Sequence, residues 1–274
     1  MTPQRTYSAA SPLAEPGEFI SAMVSDLRLA VPVGWKLFVR GLQARYRQSL
    51  LGYVWLLVPT IASTLIWIYL AHRRILVTGS TGVSYAAYVT AGMIMFQLFF
   101  EGLTAPLRRL VEAGPVMTKT RLPHESWIVA GALDALFALA ARSVLLAVVV
   151  VWSHTSVGTS LLLAPIGVAA TLLLALAIAV LLAPMAILRR DILELLVLGR
   201  TVLFFLTPVI YPVPHNLLVR LDPVTPVLVT TRSWVVGGPV ELAGFAAVIG
   251  GSLVALLVGW VVYRVAQPHL ITQL

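Results

Sequence analysis

Cysteine is absent from the 274-residue sequence, which excludes a disulfide framework, a thiolate metal site and a cysteine nucleophile. Charged side chains are scarce as well, at 11% of residues, whereas an average soluble domain has roughly 25%. The hydrophobic share is 59% and the mean hydropathy is +0.94. A soluble fold of this size cannot bury so much apolar surface and still keep a polar exterior. The composition therefore predicts an all-α polytopic membrane protein.

Three kinds of catalytic or transport machinery are also missing. The only lysines, Lys36 and Lys119, stand in no G-x-x-x-x-G-K-[S/T] pattern, so the chain has no phosphate-binding loop for ATP hydrolysis. No two of the 11 acidic residues are adjacent, which argues against the D-D-x-x-D metal ligands of a polyprenyl transferase. No internal repeat is visible, which argues against an ion-coupled secondary transporter. We therefore expect no enzymatic activity, no metal site and no cofactor in this chain.

What the sequence does contain is a series of long apolar segments. Six are long enough to cross about 30 Å of hydrocarbon, although the fifth is short. We place these transmembrane helices at 53–72, 85–107, 126–152, 161–188, 192–207 and 242–263. Most Lys and Arg residues then fall on the side of the amino terminus, and the Trp residues fall near the ends of spans. The positive-inside rule and the aromatic belt predict that both termini face the cytoplasm.

An amphipathic helix is predicted at residues 33–52, after a mixed cytoplasmic tail at 1–32. At about 100° per residue, one face is apolar and the opposite face is basic. The apolar face carries Trp35, Phe38, Leu42 and Tyr46, and the basic face carries Lys36, Arg40 and Arg47. We expect this helix to lie in the membrane interface, with its rings among the acyl chains and its cations at the headgroups. A simple anchor that only sets orientation has the same pattern.

The segment at 207–233 is apolar but contains five prolines, which forbid one continuous helix. Non-helical backbone at membrane depth is tolerated only where it is buried in protein or lines a cavity. We expect two short re-entrant helices between spans five and six, dipping in from the outer side. The alternative is an external loop that lies on the surface.

Several motifs occur in the order known from one transporter family. They are R-Y-R-Q-S-L-L-G-Y-V-W at 45–55 with Pro59, V-M-T-K-T-R-L-P-H-E at 116–125, R-R-D-I at 189–192, T-P-V-I-Y-P at 207–212, D-P-V-T-P at 222–226, and Y-R with Q-P within 263–268. Together they resemble the membrane (permease) subunit of a type-2 ABC exporter of the polysaccharide, O-antigen and teichoic-acid class. The sequence departs from that pattern at Asp222, where asparagine is usual, and at His124, where arginine is usual.

The resemblance implies a function and a set of partners. The chain would form a six-span permease domain at 53–274 that moves a polyprenyl-pyrophosphate-linked glycan across the bacterial inner membrane. It would work as a homodimer with two copies of a separate ABC ATPase, which holds ATP and Mg, and the path would follow the two-fold axis. The net charge of +8 then reflects orientation, lipid headgroups and ATPase docking rather than nucleic acid. The alternative is a drug or natural-product efflux permease of the same superfamily.

Two site predictions concern the substrate. Arginine binds phosphate bidentately, so we expect the pyrophosphate headgroup to enter at Arg45, Arg47, Ser49 and Gly52, unless these arginines only contact lipid phosphates. Sugar faces stack on aromatic rings, so a channel lined by rings is expected, although each ring alone is more often a belt or core residue. The predicted channel residues are Trp67, Tyr69, Tyr85, Tyr88, Phe96, Phe99, Phe100, Asp134 and Arg142.

Asp134 and Arg142 are eight residues apart, about 12 Å along a helix, so they are not expected to pair with each other. Each faces either the channel or a partner elsewhere. Glu101 is expected only to extend its carboxylate to the inner boundary.

Two further predictions come from the resemblance. The external gate is expected at Pro208, Tyr211, Pro212, Pro223 and Pro226. Coupling to the ATPase is expected at Lys119, Arg121, Pro123, His124, Glu125, Arg189, Arg190 and Asp191. A basic cytoplasmic loop with no partner is the alternative for the coupling residues.

Overall fold

Helices account for every regular element in the part of the chain that the structure, a computed structural model, describes. That part comprises residues 16–46, 52–73, 75, 82–117, 122–189, 191–213, 217–238 and 240–271. The helices are α1 (Pro16–Tyr46), α2 (Val58–His72), α3 (Tyr85–Met117), α4 (Glu125–Trp152), α5 (Ala164–Leu188), α6 (Asp191–Leu206), α7 (Leu217–Leu221), α8 (Val224–Val236) and α9 (Leu242–Ile271). Short 3₁₀ turns at Gly52–Leu56 and Thr159–Leu163 precede α2 and α5. The all-α prediction is confirmed.

Four helices in the described residues are long and apolar enough to cross a membrane. The spans are Tyr85–Gly114, Glu125–Trp152, Thr159–Leu188 and Leu242–Gln267, which match the second, third, fourth and sixth predicted segments. The first and fifth predicted segments are also helical, but α2 has 15 residues and α6 has 16. Both fall short of the roughly 20 residues that a spanning helix needs. Six spans are therefore not confirmed, and the crossing of α2 and α6 belongs to the function proposed below.

The amino-terminal helix is longer than the sequence indicates. It begins at Pro16, so the predicted start at residue 33 is too late. The reason is tertiary packing: α1 lies along α4, and the ring of Phe38 is 6.0 Å from that of Phe137. The basic face is exposed as predicted, with Lys36, Arg40 and Gln43 turned away from the rest of the chain.

Prolines mark where several helices begin. Pro59 and Pro165 stand in the first turn of α2 and α5, and Pro223 directly precedes α8. A proline is tolerated there because the first amides of a helix have no partner within the helix and its fixed φ suits the first turn. The same residue type thus starts these helices and breaks the chain at 207–213.

The third helix is the centre of the fold. It packs against α2, α4, α5, α6 and α8, and nearly all of its span is buried. The spans of α4 and α9 are mostly exposed, as expected for helices that face lipid or a partner. Yet α3 has the lowest mean hydropathy of the four spans, 1.3 against 2.3 to 2.8. Its polar side chains must therefore find partners inside the protein.

The α3 and α4 backbones approach each other closely at Gly131. A Cβ atom at this position would overlap the backbone of Pro106 on α3. Glycine therefore sets the distance between the two helices. In contrast, Gly250 on α9 has no neighbouring atom within 4 Å of its ideal Cβ position.

We expect Gly131→Ala to lower the free energy of unfolding by about 1–3 kcal/mol, because the new methyl group forces the two backbones apart. Thermal unfolding of the detergent-purified protein, followed by tryptophan fluorescence, measures the change. Gly250→Ala is the matched control and should be neutral or stabilising, since alanine favours helix over glycine by about 1 kcal/mol. Equal unfolding temperatures for the two variants would contradict the close approach at Gly131.

Candidate functional site

A cavity of about 640 Å³ opens between α1, α3, α4 and α6. We call it the arginine cavity, because its lining includes Arg45, Arg108, Arg109 and Arg200. Its acidic lining residues are Glu101, Glu112 and Asp134. A smaller cavity of about 150 Å³ lies farther along the groove between α3 and α6. Arg200 lines both cavities and so stands between them.

Two ion pairs cross from α3 to α4 beside this cavity. Arg109 donates to Asp134 through Nε and Nη2, at 2.6 and 3.0 Å. Arg142 donates to Glu101 through Nη1 and Nη2, at 2.8 and 2.5 Å. Both pairs are bidentate, which is the strongest arrangement for arginine and carboxylate. We call them the α3–α4 ion pairs.

These pairs settle how the charged intramembrane residues are arranged. Asp134 and Arg142 do not pair with each other, as predicted, since each bonds a residue of α3. The expectation that Glu101 only extends toward the boundary is wrong, because its carboxylate holds Arg142. Arg142 is buried in this pair and does not line the cavity.

The predicted headgroup residues fall partly on the arginine cavity. Arg45 lines it from the end of α1. Gly52 has a φ of +49°, which is the left-handed backbone that glycine adopts without strain, and it begins the turn leading into α2. Arg47 and Ser49 lie outside the described residues. The structure thus places one predicted arginine at a cavity and leaves its ligand to be proposed.

Most of the predicted channel rings are packed inside the chain. Phe96, Phe99 and Phe100 are buried in the core around α3, and only Phe96 and Phe100 reach a cavity wall. Trp67 packs on Phe204, and Tyr69 is exposed on α2. A continuous ring-lined path within one protomer is therefore not what these residues form. Their apolar faces fill the core instead.

Tyr85 and Tyr88, which were predicted as channel residues, contact irregular backbone. Both donate hydrogen bonds to the proline segment, which we define as residues 207–213. The hydroxyl of Tyr85 lies 3.1 Å from the carbonyl oxygen of Ile210, and that of Tyr88 lies 2.9 Å from the carbonyl oxygen of Tyr211. These tyrosines hold irregular backbone in place.

Arg232 on α8 completes the set of donors to the proline segment. Its Nη1 lies 2.8 Å from the carbonyl oxygen of Pro208 and 3.1 Å from that of Val209. Its guanidinium stacks over the ring of Tyr88, 3.7 Å from the centroid. Four successive carbonyls, from 208 to 211, thus each receive a side-chain donor. Sequence reasoning missed Arg232, although an arginine in an apolar, proline-bounded stretch was a usable signal.

The predicted gate residues surround this arrangement. Pro208 is buried, and Pro212, Pro226 and Tyr211 are half-buried; the hydroxyl of Tyr211 donates to the carbonyls of Phe205 and Leu206 at the end of α6. Pro223 is exposed.

Asp222, the residue that departs from the family pattern, accepts hydrogen bonds from Thr207 and Thr225 at 2.8 Å and from the amide of Val224 at 3.0 Å. Asp222 precedes the N-cap residue Pro223 and accepts from the first amide of α8. The carboxylate thereby ties the beginning of the proline segment to the beginning of α8.

The coupling residues divide into three groups. Lys119, Arg121 and Arg190 lie outside the described residues. Arg189 and Asp191 are exposed at the turn between α5 and α6, and Pro123 is half-buried. His124 and Glu125 are buried, so their side chains are not presented at the surface of the described chain.

The buried pair belongs to what we call the Arg264 cluster. Arg264 on α9 bonds Glu125 at 2.8 Å and Asp26 on α1 at 2.8 Å. Trp260 donates its indole N–H to Glu125 at 3.3 Å, and the hydroxyl of Tyr263 lies 3.5 Å from Nδ1 of His124. Burial lowers the pKa of His124 below 6.5, and this effect exceeds the opposing attraction of Glu125. The cluster joins α1, α4 and α9.

No known protein-family profile and no curated protein matches the chain. Among the described residues, no group of three or more His, Asp or Glu side chains is placed to hold a metal ion.

We expect the protein to lose stability as the pH falls below about 6.5, because the unfolded imidazole of His124 binds a proton that the folded one resists. His124→Asn should reduce the fall in unfolding temperature between about pH 7.5 and about pH 5.5. His154→Asn, at an exposed histidine, is the control and should leave that fall unchanged. An identical pH profile for wild type and His124→Asn would contradict this role.

We expect Arg232→Met to destabilise the protein by about 1–3 kcal/mol for each of the two carbonyls that it orphans. Arg73→Met, at an exposed arginine that stacks on Tyr69, is the control and should have little effect. Because the sequence has no cysteine, a Val209→Cys substitution provides a clean accessibility probe in the same proteins. We expect the introduced thiol to be labelled faster when Arg232 is replaced by Met, because the proline segment is then held less firmly. Equally slow labelling with and without Arg232 would contradict the anchoring of the proline segment.

Proposed function

We propose that the chain is the membrane subunit of an ATP-driven ABC exporter that moves a polyprenyl-pyrophosphate-linked glycan across the bacterial inner membrane. In this proposal α2 and α6 also cross the bilayer, which gives six spans with both termini in the cytoplasm. The helices α7 and α8 are re-entrant and form the external gate with the proline segment. Two copies of the chain form the pathway, and two ATPase subunits drive it.

The observation that carries this proposal is the buried proline segment. Pro208, Val209 and Ile210 are irregular backbone and buried, and the exposed fractions of Val209 and Ile210 are 0% and 3%. In hydrocarbon such backbone is stable only when protein groups satisfy it. Tyr85, Tyr88 and Arg232 do so. A stretch of this kind, between spanning helices, is typical of a transport protein rather than of a simple membrane anchor.

The sequence motifs give the proposal its specificity. The T-P-V-I-Y-P and D-P-V-T-P motifs of the resembled family form the proline segment and the beginning of α8. Asp222 connects the two motifs through Thr207 and Thr225. The motif residues therefore have a shared structural task, which supports their interpretation as one functional unit.

The energy source must lie on another chain, because the sequence has no phosphate-binding loop. The turn between α5 and α6 is the most accessible candidate for docking. Arg189 and Asp191 are exposed there, whereas His124 and Glu125 are held inside by Arg264. We therefore assign the α5–α6 turn as the primary ATPase contact. In this proposal the segment before α4 contributes to the ATPase contact with its backbone and not with the side chains of His124 and Glu125.

Co-purification of this chain with an ABC ATPase subunit from the same cells tests the proposal. We expect Asp191→Lys to weaken ATPase binding at least about tenfold, because a reversed charge at an interface costs several kcal/mol. Glu241→Lys, at an exposed acid before α9, is the matched control and should bind normally. Binding is measured on detergent-purified complexes, and export is measured as glycan appearing outside intact cells.

A chain that binds no ATPase, or glycan export that continues without the chain, would overturn the proposal. Normal binding and export by Asp191→Lys would reject the α5–α6 turn as the docking site.

A further inference from the structure

We propose that the arginine cavity binds the phosphate group of a membrane lipid, as a phosphate ester or a diphosphate, through Arg45, Arg108 and Arg200. Neither Arg108 nor Arg200 belongs to a sequence motif. The inference concerns binding alone and holds whether or not the chain exports a glycan. If it does, the cavity is where the pyrophosphate of the carrier is held.

Two of the three acidic residues that line the cavity are already paired with arginines. Among the acids that line the cavity, Asp134 is bonded to Arg109 and Glu101 is bonded to Arg142. Both carboxylates use their two oxygens in these bonds. The α3–α4 ion pairs therefore remove these acids as counter-charges for the other arginines.

Three of the arginines that line the cavity are left over after the two ion pairs are counted. Within the described part of the chain, no carboxylate forms an ion pair with Arg45, Arg108 or Arg200, and Glu112 is the one lining acid outside the two pairs. Arg200 instead stacks on the ring of Phe100, 5.4 Å from the centroid. The cavity consequently has a surplus of positive charge. An anion that enters it replaces the missing counter-charge.

The cavity lies near one end of the membrane-spanning part of α3. Along α3 the cavity extends from Phe100 to Glu112, about 18 Å of helix, and it stops just before Gly114, where the span ends. This places it at one boundary of the bilayer and in the adjoining hydrocarbon. Lipid phosphates lie at that boundary. A cation at the depth of the α3 span is costly unless it faces a cavity or an anion, and Arg200 faces both cavities.

The cations of the cavity are all of one chemical type. Every basic residue that lines the cavity is an arginine. The guanidinium group presents a planar fork of donors that matches the oxygens of phosphate, and it stays charged in an apolar setting. A volume of about 640 Å³ is within the range of small-molecule sites. The cavity therefore fits a phosphate group with the first part of its lipid.

Binding of short-chain lipids to the purified protein tests the inference without any ATPase. The probes are dioctanoyl phosphatidic acid, farnesyl diphosphate and, as the zwitterionic reference, dioctanoyl phosphatidylcholine, titrated against intrinsic tryptophan fluorescence. We expect the double variant Arg108→Gln/Arg200→Gln to bind both anionic probes at least about tenfold more weakly than the wild type. The reason is that each substitution removes charge-assisted hydrogen bonds to the phosphate. Arg28→Gln, at an exposed arginine of α1 outside the cavity, should bind them normally.

The conservative variant Arg108→Lys/Arg200→Lys keeps the charge and should bind with intermediate affinity, which guards against a folding defect in the glutamine variant. Equal affinity of the wild type for the two anionic probes would identify lipid headgroups as the source of the phosphate. A tenfold or greater preference for the diphosphate would identify an isoprenoid carrier. The inference is overturned if the wild type binds the anionic probes no better than phosphatidylcholine. It is also overturned if the glutamine variant binds them as the wild type does.

Discussion

The α3–α4 ion pairs are the constraint on which the rest of the structure depends. They allow the least apolar of the four candidate spans to occupy the centre of the bundle. Glu101 and Arg109 are eight residues apart on α3, and Asp134 and Arg142 are eight residues apart on α4, so two antiparallel helices meet in both pairs at once. A slip of one turn, about 5.4 Å, would break both pairs together. Since a buried charge without its partner costs about 3–5 kcal/mol, the two helices move as one body.

The paired helices α3 and α4 contact a different feature at each end. At one end the locked carboxylates leave a cavity rich in arginine, open to α1 and α6. At the other end Tyr85 and Tyr88 hold the proline segment, together with Arg232 from α8. A transporter needs a place where its substrate is admitted and a seal that opens on the far side. The proposed function assigns these tasks to the two ends of α3.

Local patterns in the sequence predicted what depends on local physics. Apolar length located four spans to within seven residues at each end, and the 3.6-residue period identified the exposed basic face of α1. Pairing across the fold was beyond such reasoning. The spacing of Asp134 and Arg142 excluded a mutual bond, but it did not indicate Glu101, 41 residues away, as the partner of Arg142. A ring in the core and a ring in a channel have the same hydropathy, so hydropathy did not indicate that Phe99 is buried in the core or that Tyr88 bonds the proline segment. The burial of Glu125 depends on Arg264, and no local pattern contains that information.

The Arg264 cluster also has a consequence for the order in which the chain assembles. The bond between Asp26 and Arg264 joins residues 238 positions apart, so its cation is synthesised long after its carboxylate. Until then the bonds from Arg264 to Asp26 and Glu125 are missing, and α1 and α4 lack this link to α9. Contacts of such long sequence separation form late, because closing the intervening loop costs entropy before any bond is made. Insertion of α9 is thus the event that completes the Arg264 cluster, and a nascent chain that stops short of α9 lacks the cation that joins α1, α4 and α9.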